Sequence, residues 1–125
     1  MGTDPVTEPF DDRTPIYQQI AERLRDAILA GDLQEEDQVM STTQYATTYR
    51  INPATAARAM SALVDEGLLH KRRGLGMFVS PGARERLRTQ RRATFWQDAL
   101  GPVLAEARAL GITTEQIVDH IKEQS

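Results

Sequence analysis

The chain has 125 residues, 40% of them hydrophobic and 26% charged, with a net charge of −3 and no cysteine. That size fits one small domain with a short appendage and leaves little room for a separate ligand-binding domain. The missing cysteines exclude disulfides and cysteine-based zinc sites, no apolar run reaches the roughly 18 residues needed to span a bilayer, and no basic-then-apolar leader opens the chain, so a cytoplasmic protein without a membrane partner is expected.

Residues 1–13 are polar, hold Pro5 and Pro9 and show no periodicity, which predicts a loose arm. A first helix is predicted from about Pro15, with Thr14 as its cap and the proline at the first helical position. Tyr17, Ile20, Leu24 and Ala27 recur at steps of three and four and form its apolar stripe, which Gly31 ends. Residues 34–40 read as an acidic loop. Ser41 with Gln44 three residues on is a capping box for a short helix to about Tyr49. Arg50 and Ile51 make a tight turn. Asn52 followed by Pro53 then opens a helix to about Glu66, with Ala56, Met60 and Leu63 inward and Ala54, Arg58 and Ser61 outward.

Two strand-like runs come next, Leu68-Leu69-His70 and Met77-Phe78-Val79, joined by Lys71-Arg72-Arg73-Gly74-Leu75-Gly76 as a glycine-bearing hairpin tip. A second helical region is predicted over about 83–110. Its Trp96, Leu100, Val103, Ala107 and Leu110 step by four, three, four and three in a coiled-coil-like seam. Gly101-Pro102 predicts a kink or break within it. Thr113 with Gln116 caps a last helix. The order predicts an α+β, mostly helical fold: an arm at 1–13, a winged helix-turn-helix at 14–81 and a helical dimerisation region at 82–125.

The charge is unevenly spread. Residues 1–12 carry four acids and no base, whereas residues 67–92 carry eight bases (Lys71, Arg72, Arg73, Arg84, Arg86, Arg88, Arg91 and Arg92) against the single acid Glu85. Local field outweighs the total, because salt screens charges beyond about 10 Å. By itself such a stretch is either a solvated helix face or part of a surface for a polyanion.

Two short helices joined by a tight turn, the second opening with small polar and basic residues, suit the major groove of DNA, which admits one helix. Asn52, Ala54, Thr55 and Arg58 are the candidate base contacts. Backbone N–H groups at Ser41, Thr42 and Thr43 and at Asn52, together with Arg50, are candidates for phosphates. Lys71, Arg72, Arg73 and Gly74 at the hairpin are candidates for the minor groove, where glycine permits close approach and arginine matches the negative potential. Each piece has a plainer reading, as a good helix start or a solubility-promoting turn; their conjunction in this order is what points to DNA.

The run over residues 15–79 resembles the DNA-binding domain of the GntR family of bacterial regulators. The resemblance is carried by Ile16-Tyr17-Gln18-Gln19-Ile20, by Glu66-Gly67-Leu68-Leu69 and by Gly74-Leu75-Gly76-Met77-Phe78-Val79. Asn52-Pro53-Ala54-Thr55 with Arg58-Ala59, and Ala107-Arg108-Ala109-Leu110-Gly111-Ile112 in the tail, resemble its YtrA subfamily. The resemblance implies a winged helix-turn-helix repressor that binds a palindromic operator as a homodimer, often controlling a transporter operon. It maps the start of the recognition helix to residues 52–58 and the wing tip to Arg73-Gly74. The chain departs from the family in having Val39-Met40-Ser41-Thr42-Thr43 where Leu-Pro-Ser-x-Arg is usual, so that Thr43 stands at an arginine position, as does Ala57. The departures shift weight onto Arg50, Arg58 and the wing.

The tail carries more apolar residues than one small domain covers, which predicts a homodimer anchored by Trp96, Leu100, Val103, Ala107 and Leu110. A small-molecule effector is compatible with such a tail, although no residue pattern argues for one. No cofactor or metal is expected, and no enzyme: His70 and His120 are isolated, and Gly74-x-Gly76 precedes a strand, which is the wrong geometry for a phosphate loop. The competing readings are a winged-helix protein–protein adaptor and a small-molecule sensor without operator binding.

Overall fold

The computed structural model describes residues 10–125, which divide into two compact units, one ending at Arg88 and the other spanning residues 89–125. The first is built from α1 (Ile16–Ala30), β1 (Gln38–Val39), α2 (Thr42–Tyr49), α3 (Pro53–Asp65), β2 (Leu69–Arg72), β3 (Gly76–Val79) and the opening turns of α4 (Ala83–Phe95). Ile20, Leu24 and Ile28 of α1 meet Tyr45 of α2 and Met60 and Leu63 of α3 in one cluster, all at most 1% exposed. Burying each large apolar side chain contributes about 1.5–3 kcal/mol, so the helical periodicity read from the sequence is the main source of this core.

The three strands form an antiparallel sheet in the order β1-β3-β2. Leu69 pairs with Val79, His70 with Phe78, Lys71 with Met77 and Arg72 with Gly76, while Gln38 and Val39 pair with Phe78 and Met77. The pleat sends alternate side chains to opposite faces. Leu69 and Val79 therefore enter the core with Val39, whereas His70, Arg72 and Phe78 share the outer face.

Several expectations are corrected. The acidic loop at 34–40 contains β1, a strand too short to show any alternation. Thr14 does not cap α1: Pro15 holds the cap position without a side-chain bond. The Gln19 side chain instead donates to the carbonyls of Asp11 and Thr14, each at 2.8 Å, and accepts from the Asp11 N–H at 3.0 Å. Residues 10–13 are thus tied down and not loose, for Phe10 also packs edge-on to Tyr49 at 6.2 Å and lies under the Arg23 guanidinium at 4.7 Å. The rest of the expected arm, residues 1–9, lies outside the described residues.

The first unit runs past the expected boundary at residue 81, because Ala83 and Leu87 of α4 are buried in its core. Two arginines add to this anchoring. Arg84 Nε donates to the Leu29 carbonyl at 2.9 Å, and its guanidinium lies over Gly31, which ends α1 at φ 90°. The Arg86 guanidinium lies over Gly67, just after α3, 3.2 Å from where a Cβ would stand. Both cations sit where helix C-termini leave carbonyls unpaired and the dipole is negative. Part of the basic run in 67–92 therefore serves the fold.

In the second unit α4 runs into a π-helical turn at Trp96–Leu100, followed by α5 (Gly101–Ala109) and α6 (Thr114–Gln124). Pro102 has no N–H to continue the ladder, and the Gly101 N–H reaches back to the Trp96 carbonyl. The expected break at Gly101-Pro102 is thus a change of winding within a continuous helix. Thr113 and Gln116 close the expected capping box on α6. Trp96, Val103 and Leu110 are 60–69% exposed, whereas Ala107 is 7% exposed and packs inside its own unit. Leu100, Leu104, Ile112, Ile117 and Ile121 line an apolar groove of about 620 Å³ between α5 and α6. Among the described residues no helix is long and apolar enough to cross a membrane, and no side-chain cluster is fit to hold a metal ion.

Candidate nucleic-acid interface

The helix-turn-helix is made by local chemistry. Ser41 Oγ accepts from the Gln44 N–H at 3.1 Å while Gln44 Oε1 accepts from the Ser41 N–H at 2.7 Å. This box leaves the N–H groups of Thr42 and Thr43, at the opening of α2, without an intrahelical acceptor. Arg50 ends α2 in the left-handed region at φ 54°, and the N–H of Ile51 bonds the Ala46 carbonyl at 3.1 Å. The chain then enters α3 through Asn52, whose Oδ1 accepts from the Ala54 N–H at 2.8 Å. The N–H groups of Thr55 and Ala56 bond the Asn52 carbonyl, and Pro53 has none. The first turn of α3 is therefore internally satisfied from Ala54 to Ala56, which leaves the N–H of Asn52 itself as the backbone donor at this start, whereas α2 opens with the N–H groups of both Thr42 and Thr43.

The exposed face of α3 carries Ala54, Ala57, Arg58 and Ser61, with Thr55 half-buried beside them. Arg58 is the cation on this face. Its guanidinium carbon lies 3.8 Å from the centroid of the Tyr17 ring on α1. Among the described residues no acceptor pairs with it, so its planar fork of five donors remains available.

The wing is shorter than the sequence indicates. Lys71 and Arg72 belong to β2, and the turn itself holds Arg73, Gly74 and Leu75. The pleat places Lys71 on the face of Leu69, the side on which α3 packs. Arg72 is on the opposite face and is not a tip residue. Its guanidinium is 3.0 Å from the Glu36 carboxylate, lies over the Phe78 ring at 4.3 Å and donates from Nε to His70 Nε2 at 3.4 Å. Gln38 fixes the turn from β1 by donating to the Leu75 carbonyl at 2.8 Å. Arg73 and Gly74 are exposed at the end of the hairpin.

Arg50, Arg58, Lys71 and Arg73 are thus exposed cations of the expected site, with Ala54 and Thr43 exposed beside their helix starts. The Ser41 side chain, the Asn52 Oδ1 and the Arg72 guanidinium are engaged in internal bonds. Sequence reading missed Tyr17, Glu36, Gln38 and Phe78 as partners of these residues. Tyr17 was legible only as part of the apolar stripe, and Glu36 only as a loop acid.

Comparison with known proteins agrees with this fold. Residues 16–79 match the family described as "Bacterial regulatory proteins, gntR family". The chain is 30% identical over 112 residues to the HTH-type transcriptional repressor YtrA of Bacillus subtilis (strain 168), covering 90% of this chain and 85% of that one. A GntR family transcriptional regulator from Listeria monocytogenes superposes with a TM-score of 0.69 at 28% identity, covering 91% of this chain and 98% of the other. YtrA from Sulfolobus acidocaldarius, a GntR-family transcription factor, superposes with a TM-score of 0.57 at 26% identity over 94% of each chain. Motifs, architecture and likeness converge: this chain belongs to the gntR family of bacterial regulatory proteins.

Proposed function

We propose that this chain is a sequence-specific DNA-binding transcription regulator, working in the cytoplasm as a homodimeric repressor of an operon such as one encoding a transporter, and not an enzyme. The observation that carries the reading is the exposed opening of α3, which presents Ala54, Thr55 and Arg58 while its own cap is internally satisfied. Arg58 is suited to pair with guanine, Thr55 to a base-edge donor or acceptor, and the Ala54 methyl to a thymine methyl. The N–H groups of Thr42 and Thr43, with Arg50, take backbone phosphates, and Lys71, Arg73 and Gly74 of the wing approach the neighbouring groove.

The unit that ends at Arg88 acts as the reading domain and residues 89–125 as the dimerisation region. The exposed Trp96, Val103 and Leu110 support self-association, with Leu100 and Ala107 backing them from within the unit. A two-fold dimer reads two half-sites about one helical turn apart.

The test is selection of a duplex from a random-sequence pool by the full chain, followed by anisotropy titration of the Arg58→Ala variant. The substitution should weaken binding to the selected duplex by about 1–3 kcal/mol and relax preference at one position of each half-site. Failure to enrich any duplex, or unchanged affinity in the variant, overturns the assignment.

A further inference from the structure

Most arginines of the first unit that have a visible partner are held by oxygen. Arg25 pairs with Glu66 and Glu22, Arg72 with Glu36, Arg84 with the Leu29 carbonyl and Arg88 with Glu85. Arg58 is different: an aromatic face holds it, with its guanidinium carbon 3.8 Å from the Tyr17 ring centroid. A carboxylate partner takes up N–H donors and cancels charge. A ring face carries no formal charge to cancel that of the guanidinium and offers no lone-pair oxygen to take up its donors. The in-plane donors that recognise guanine O6 and N7 remain unpaired, while the long side chain loses much of the rotamer freedom that binding would otherwise have to remove.

The ring is itself fixed. Tyr17 lies on α1 one turn before Ile20, is half-buried and packs against the core, and its hydroxyl accepts from Gln18 Nε2 at 3.1 Å. The hydroxyl is turned to Gln18, so the face is what meets Arg58.

We propose that Tyr17 is a positioning residue for base reading: its ring preorganises Arg58, and through Arg58 it sets the base preference of α3. This rests on the DNA-binding assignment above and adds to it a specificity residue outside the helix-turn-helix.

The experiment uses the full chain and the duplex selected by the wild type, with Tyr17→Leu, Tyr17→Phe and each combined with Arg58→Ala. Tyr17→Leu should weaken binding to the selected duplex about two- to fivefold, the scale of an exposed cation–π contact. The loss should be confined to the base pair at which Arg58→Ala relaxes preference. Affinity for a random-sequence duplex and its salt slope should not change. In the Arg58→Ala background Tyr17→Leu should have no further effect, and Tyr17→Phe should bind as the wild type does.

Four results overturn the proposal: additive losses in the double variant, equal weakening on random-sequence DNA, an equal loss in Tyr17→Phe, or tighter binding by Tyr17→Leu, which would make the ring a resting place that competes with DNA. If Tyr17→Leu does not fold, the ring-current shift decides in the wild type: upfield-shifted Arg58 δ-protons support the seat, and random-coil shifts refute it. Absence of any selected duplex for the wild type would instead sink the DNA-binding assignment itself, a distinct result.

Discussion

Arg72 turns its guanidinium back onto Glu36, 3.0 Å away on the outer face of the sheet, while its chain neighbour Arg73 has no such partner among the described residues. Two adjacent arginines of the same hairpin therefore carry different electrostatic weight toward a polyanion. Each phosphate neutralised contributes about 0.9 to the slope of log K against log salt. Arg73→Ala should flatten that slope by about 0.9 on a random-sequence duplex, and Arg72→Ala by less than half as much. Glu36→Gln should release Arg72 and steepen it. Anisotropy titrations across salt measure all three, and equal losses from the two arginines would place Arg72 on the phosphates as well.

The wing depends on a glycine at a left-handed backbone position that faces the tip of the Gln38 side chain. A Cβ on Gly76 would stand 2.7 Å from Gln38 Nε2, at a backbone φ of 122° that side chains rarely adopt. Gly76→Ala should therefore destabilise the protein by about 1–3 kcal/mol in urea unfolding. Adding Gln38→Ala should restore only part of the loss, since it removes the clash but leaves the dihedral strain and gives up the bond to the Leu75 carbonyl. Full recovery would mean that crowding alone was responsible.

Asn52 is separable from the residues that follow it. Its oxygen is committed to the Ala54 N–H, so its expected role is structural. Asn52→Ala should cost about 1 kcal/mol of stability, and Asn52→Ser should retain the cap. Base preference in Asn52→Ser should match the wild type; a changed preference with unchanged stability would return Asn52 to the bases.

The exposed apolar residues of the tail give a test of self-association. Val103→Asp with Leu110→Asp places two charges on the surface proposed to be covered in the dimer. Sedimentation equilibrium should then report a monomer, and affinity for a two-half-site duplex should fall by about a hundredfold, toward that for a single half-site. A dimer that survives both substitutions would put the interface elsewhere.

The parts of this fold legible in the sequence are those settled within four residues. Ser41 with Gln44, Asn52 with Pro53 and Thr113 with Gln116 each determine a helix start from local hydrogen bonding, and all three stand where expected. What escaped depends on residues distant along the chain. The strand Gln38–Val39 exists because Phe78 and Met77 offer it an edge. Gln19 reaches back to Asp11 only once α1 has formed. The candidate site divides the same way: the outward position of Arg58 follows from helical spacing, but its seat on Tyr17 and the diversion of Arg72 to Glu36 require the assembled core. The basic run in 67–92 stayed open between two readings for a related reason, since composition does not distinguish a cation aimed at solvent from one such as Arg84 that closes a helix end.

The wider winding at Trp96–Leu100 admits one residue more than an ordinary turn would. It works as a shim, setting the rotational phase of everything downstream relative to residues 89–95. Because each residue advances a helix by about 100°, deleting any one position there should swing Val103 and Leu110 to a different bearing while leaving the composition of the tail almost untouched. Length in this short stretch is accordingly a constraint separate from residue identity: an assembly built on that apolar edge should tolerate substitutions at the exposed Gln97, Asp98 and Ala99 but no change in count.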